Sequence, residues 1–211
     1  MSRRNDDRLD VAHAAAQRVW MSLMTAVSRA QAPRRTTGLP PHGTATYFST
    51  VVRLPPELVP DLDIEAPDHR YRPEDVHVTV ANLNDATVPM ADALETLRGR
   101  ELPAVRFRIE GLGRSPGTLF LRCVHDHTLR RLRTEIRDAF GAPPPPWPER
   151  AFAWLSFANV ARFDGPGTWP GRGDVRADVT VDELELVTTD RFFSPEATTV
   201  LARLALGRDH T

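Results

Sequence analysis

Apolar residues recur at steps of three and four near the N-terminus: Leu9, Ala12, Ala16, Val19, Trp20, Leu23 and Val27. That spacing predicts an amphipathic helix from Leu9 to about Gln31, and three consecutive alanines at 14 to 16 add propensity. The charged first eight residues read as a frayed end. "APRRTTGLPPHGTAT" then stops the helix with prolines and glycines. Residues 1–45 read as an extension of helix and loop ahead of a domain spanning 46–211. The apolar stripe needs a partner, either its own domain, the preferred reading, or a second subunit.

Past residue 45 the period shortens to two. "TYFSTVVRL" (46–54) reads as a strand closed by Pro55-Pro56, and "EDVHVTVANL" as a second. "MADALETLRG" is a short helix. "AVRFRIEGLGRS" and "TLFLRCV" form a hairpin across Ser115-Pro116-Gly117. "DHTLRRLRTEIRDAFG" is a helix with the stripe Leu129, Leu132, Ile136 and Phe140, ended by Gly141. "APPPPWPE" is a stiff loop. "FAWLSFANVARF" (152–163) alternates like a strand, "DVTVDELELVTTDRFF" supplies one last strand, and "SPEATTVLARLALG" reads as a closing helix capped by Ser194. Hairpins mix with helices without regular βα alternation, so the expected class is α+β with antiparallel sheets.

The chain has 211 residues, 41% of them hydrophobic, enough for a real core. The formal net charge of −1 supplies no global field for nucleic acid or an anionic membrane, so the expected partner is a small ligand. All 27 basic residues are arginine, so any cationic phosphate contact would be a guanidinium. The single cysteine, Cys123, allows no internal disulfide and no cysteine metal cage. No secretory or membrane-spanning apolar run occurs, which makes the cytoplasm the expected location. No glycine-rich phosphate loop, H-E-x-x-H or G-x-S-x-G is present.

The alternation in "VHVTV" places three valines on one strand face and His77 with Thr79 on the other. A hydroxyl can donate to a phosphoryl oxygen while an imidazole moves a proton, a pairing suited to phosphate chemistry. In "AWLSFANV", Leu155 and Phe157 read as core-facing, and Trp154 shares the other face with Ser156. Tyr47 and Ser49 on the first strand, and Arg106, Arg108 and Arg122 on the hairpin, are weaker candidates for a pocket rim. His125 and His127 lie where a strand meets a helix.

These two stretches, 77 positions apart, resemble the paired H-x-[ST] motifs of the 2H phosphoesterase superfamily, which includes 2′-5′ RNA ligase-like proteins and cyclic phosphodiesterases. The resemblance covers about residues 46–207 and rests on "YFSTVVRLP", "VHVTVANL", "WLSFANVARF" and "VDELELVTTDRFF". It implies a bilobal domain, two antiparallel sheets facing a central cleft with helices outside. It implies metal-free and cofactor-free chemistry in which one histidine is the base and the other the acid. Carried over, His77 keeps one proton-transfer role, and Thr79 and Ser156 hold the phosphate. Trp154 stands where the second histidine belongs, and an indole neither accepts nor titrates near neutrality. Trp154, Tyr47 and Arg108 are then expected to bind substrate. The implied ligand is a nucleotide-like or phosphorylated small molecule, with RNA ends as an alternative and a homodimer through the N-terminal helix as a further partner. The placement requires Thr79 and Ser156 to meet across one concave gap.

Overall fold

The computed structural model describes residues 3–29, 46–64, 67, 69–115, 117–144, 155–163, 175–190 and 192–207. Trp154, the segment 30–45, most of the proline-rich loop after Ala142 and the loop 164–173 lie outside them. In chain order the main elements are α1 (Arg3–Arg29), β1 (Tyr47–Arg53), β2 (His69–Arg70), β3 (His77–Asn82) and α2 (Met90–Arg98). After these come β4 (Val105–Ser115), β5 (Thr118–His125), α3 (His127–Phe140), β6 (Ser156–Arg162), β7 (Arg176–Val181), β8 (Glu183–Thr189) and β9 (Thr199–Ala205).

The architecture is α+β. The strands form one nine-stranded sheet in the order β7-β4-β5-β6-β3-β1-β8-β9, with β2 beside β6, and the strand pairs are antiparallel. The two expected sheets are thus two halves of one sheet. Their junction is thin: β3 and β6 share a single residue pair, Val78 with Ala158. The cleft lies at this junction.

Alternation builds the core. Val76, Val78 and Val80 are buried together with Leu119, Leu121, Ala158 and Val160, and α3 covers them through Leu129, Leu132, Ile136 and Phe140. Asp126 caps α3, its carboxylate accepting from the Thr128 amide at 2.8 Å. Gly141 ends the helix at φ +59°, and a Cβ there would meet Thr87 Oγ1 at 2.4 Å. At Gly113 the missing side chain is filled by the Phe120 ring, 2.2 Å from where a Cβ would stand.

Three expectations need correction. The "DVTVDELELVTTDRFF" run is two strands, β7 and β8, parted at Asp182. The closing helix is a turn followed by the edge strand β9, paired with β8 from Glu183–Ala205 to Thr188–Thr199. A helical reading of Val200, Leu201 and Leu204 competes there with β-branched Thr198, Thr199 and Val200, and pairing with a buried neighbour wins. The third correction concerns α1. The helix packs on its own sheet, against β4 and β5, but of the described residues in the stripe read from the sequence only Trp20 takes part. Its docked face carries Gln17, Met21 and Ser28, with Ala14 and Trp20 packed beside Val124 and Leu155.

Gln17 explains the choice of face. It is fully buried, its Nε2 donates to the His125 carbonyl (3.3 Å) and its Oε1 accepts from the His125 amide (3.3 Å). The amide continues the β5 ladder as a peptide would, which satisfies a buried polar pair and fixes the helix register. Arg18 anchors the same helix to Glu110 with two-pronged bonds of 2.6 to 3.0 Å. No helix among the described residues is long and apolar enough to cross a membrane.

Candidate functional site

The geometry begins just before the motif. Arg53 on β1 donates to the Glu74 carbonyl (2.8 Å) and pairs with Asp75 (3.2 Å) and Glu185 (2.7 Å). Arg72 holds the other Asp75 oxygen at 2.6 Å. These bonds fix the short turn Pro73–Asp75, and the Asp75 carbonyl in turn meets His77 Nδ1 at 2.8 Å. The carbonyl can only accept, so Nδ1 carries the proton and Nε2 is left as the acceptor. Phe193 lies against the imidazole, centroids 3.8 Å apart and planes 31° apart, and Tyr71 meets its edge at 6.2 Å.

Phe193 sits at φ +56°, in the left-handed region where a non-glycine residue is uncommon. The Asp190 carboxylate holds it there, accepting from the amides of Phe192 and Ser194 at 3.0 Å and from Ser194 Oγ at 2.9 Å. Burial pushes the His77 pKa down to about 4, against the opposing pull of the Asp75 carbonyl, with Arg53 and Arg162 adding to the drop. His77 is therefore a neutral acceptor at pH 7.

His77 and Thr79 line a cavity of about 510 Å³ with Asn82, Phe157, Asn159 and Arg162, and α3 contributes Arg133 and Arg137. Past the Val78–Ala158 pair the two strands part, and the Arg133 guanidinium fills the gap. It donates to the carbonyls of Val80 (3.0 Å), Thr79 (3.4 Å) and Leu155 (3.4 Å) and to Ser156 Oγ (3.2 Å). Burial, with Arg137 nearby, lowers its pKa to about 10, so it stays charged at the cavity wall. Among the described residues, three arginines line the cavity against one carboxylate, Asp85.

The sequence-derived frame of the second stretch does not hold. Directly paired residues point to the same face of a sheet. With Val78 opposite Ala158, the His77–Thr79 face of β3 continues on β6 as Phe157 and Asn159, and Ser156 turns to the opposite face with Cys123 and Ala158. Burial agrees: Ser156 is 2% exposed and Phe157 is 37% exposed. Ser156 borders the cavity from inside its wall with its hydroxyl engaged by Arg133, and does not face Thr79 across a gap. The local two-fold relating β3 to β6 carries His77 onto Phe157 and Thr79 onto Asn159. Trp154 lies outside the described residues.

Phe157 is backed by Phe120, ring centroids 5.1 Å apart. Asn159 bonds the Tyr71 hydroxyl, which also accepts from Arg162 Nε at 3.0 Å, while Asn159 Oδ1 is buried with no donor among the described residues. Tyr47 and Arg108 are not brought to the site. Tyr47 pairs with Thr189 at the end of β1 away from His77, about 20 Å along the strand. Arg108 lies on β4, three strands from β3, bonded to Asp178 at 2.7 Å beside a separate cavity. His125 is buried with Nδ1 on the Asp126 carbonyl, and His127 bonds Asp10 at 2.7 Å. Among the described lining residues His77 is the one histidine.

No family model matches the chain, and no curated protein matches it by sequence. Solved structures do. A crystal structure described as a phosphoesterase superposes with a TM-score of 0.56 at 15% identity, over 78% of this chain and 100% of its own. The protein TT0787 of Thermus thermophilus gives 0.55 at 18%, again over 78% and 100%. E. coli LigT in complex with NADP+ gives 0.54 at 15%, over 77% and 99%. The chain has the LigT fold. At these identities the likeness is one of fold. The LigT fold is matched nearly in full, and about a fifth of this chain lies beyond it.

Proposed function

We propose that this chain is a divergent 2H phosphoesterase-like protein whose cleft recognises a nucleotide-type phosphodiester and acts on it with one histidine. The observation that carries the reading is the fixed tautomer of His77. Nδ1–H is spent on the Asp75 carbonyl, which leaves Nε2 as an acceptor at a cavity lined by Thr79 and three arginines. Thr79 Oγ1 would donate to a phosphoryl oxygen, and Arg133 would supply fixed positive charge. Nε2 would take the proton of the attacking water or hydroxyl. The orphaned Asn159 Oδ1 would accept from a ligand hydroxyl. E. coli LigT, which shares the fold, has been crystallised with ATP, NADP+, phosphate and 3′-AMP, which supports a phosphorylated ligand of this size.

At the two-fold position Phe157 cannot protonate a leaving oxygen, so turnover should fall about 10²–10⁴-fold below that of a two-histidine site. A 2′,3′-cyclic phosphate or a 2′-5′ linkage is the substrate class to assay. The wild-type chain should turn such a substrate over slowly, and His77→Ala should abolish that turnover while leaving affinity for 3′-AMP within about tenfold. Binding without turnover would make the chain a nucleotide-recognition module, the reading that Phe157 in the second histidine's place favours next. Absence of both binding and turnover would overturn the proposal.

A further inference from the structure

Apart from Trp20, the described residues of the stripe that marks α1 in the sequence lie on a face the molecule leaves uncovered, and Val11 joins them there. Val11, Val19, Leu23 and Val27 are 72, 70, 51 and 58% exposed, and the alanines at 12, 15, 16 and 26 are exposed beside them. From residue 11 to residue 27 the only charged side chain is Arg18, which leans off to the sheet and is bonded to Glu110. Folded monomers rarely leave contiguous apolar faces of this kind in water.

We propose that this face pairs two copies of the chain through antiparallel α1 helices. Positions 11, 15, 19, 23 and 27 form one ridge at steps of four, the ridge that interlocks with its own kind in helix packing. Val19 is its midpoint. A two-fold axis beside Val19 sets Val19 against Val19, Leu23 against Ala15 and Val27 against Val11, so that the larger Leu side chain meets the smallest one. A closed two-fold pair buries both ridges at once and leaves neither over.

The lack of charge on the face selects the occupant. An anionic membrane surface would call for an excess of basic residues beside the stripe, whereas the first eight residues of α1 carry three arginines and three aspartates, and a charged partner would find nothing to pair with on the ridge itself. The ridge runs about 24 Å at 1.5 Å per residue. Two such strips, each about 10 Å wide, cover about 500 Å² in total, below the range of stable specific interfaces and fitting a weak, transient pair. The dimer should therefore be weak, forming at high micromolar concentration. This inference is independent of the reading of the cleft, because the docked face of α1 and not the free one adjoins Leu155.

Sedimentation velocity on the full chain through the micromolar range tests it. The wild type should pass from monomer to dimer. Val19→Glu with Leu23→Glu should weaken the dimer about 100-fold or more, with an unchanged circular-dichroism melt because both positions are exposed. Val19→Cys should cross-link to itself on oxidation, whereas Val11→Cys should do so only when mixed with Val27→Cys; the native Cys123 is buried. A wild type that stays monomeric throughout, as it would if another segment of the chain covered the ridge, overturns the proposal. So does a dimer that survives the double glutamate variant, or a Val11→Cys self-link as efficient as that of Val19→Cys.

Discussion

Protonating His77 should cost the fold more than protonating any ordinary histidine. The ring is 7% exposed, stacked by Phe193 and edged by Tyr71, and its pKa is held at about 4 against 6.5 in the unfolded chain. Between those values the unfolded chain binds the proton and the native one does not, so stability rises with pH across the window. The contribution is fully present above about pH 6.5 and is lost as pH falls through about 4. At about 1.36 kcal/mol per pKa unit the full loss is about 3 kcal/mol, with about 2 kcal/mol already gone at pH 5. Urea unfolding at a series of pH values, wild type against His77→Gln, isolates this group, because every other titration is common to both. Between pH 7 and pH 4 the wild type should lose about 3 kcal/mol of unfolding free energy relative to the variant. Histidine NMR on the native protein reads the same quantity directly. A native His77 pKa at or above 6.5, or parallel stability curves, would refute the buried, neutral base.

Gly113→Ala drives a Cβ into the Phe120 ring and should lower stability by about 1–3 kcal/mol in thermal melts; an unchanged midpoint would mean that Phe120 does not buttress Phe157 as described. Arg133→Met removes a donor from three main-chain carbonyls and Ser156 Oγ, and should cost about 2–4 kcal/mol in urea unfolding and weaken phosphate binding; wild-type behaviour in both would remove Arg133 from the junction.

The strand-rich class, the β4–β5 hairpin and helix α3 were legible in the sequence because local chemistry decides them: alternation, a turn triplet, an apolar stripe at steps of three and four, and a glycine at the helix end. That His77 and Thr79 share one strand face was legible for the same reason, since Val76, Val78 and Val80 around them point inward. The second half of the site was not. Which residues of β6 face the cleft depends on register, and register is set by pairing with β3 and β5, partners remote in sequence. A one-residue change of frame turned Ser156 inward and brought out Phe157 and Asn159. The signal available was the alternation itself, since "FAN" repeats the apolar middle of "HVT". The docked face of α1 was hidden by Gln17, a polar residue whose burial makes sense only beside the His125 main chain. β9 was misread because its apolar spacing suits both periods.

The register at the β3–β6 junction can be tested by restoring a proton carrier. Phe157→His and Trp154→His should be compared for turnover of a 2′,3′-cyclic nucleotide, with His77 intact in both. The two-fold that carries His77 onto Phe157 predicts a gain of about 10²-fold or more in Phe157→His and none in Trp154→His. A gain in Trp154→His with none in Phe157→His would contradict it.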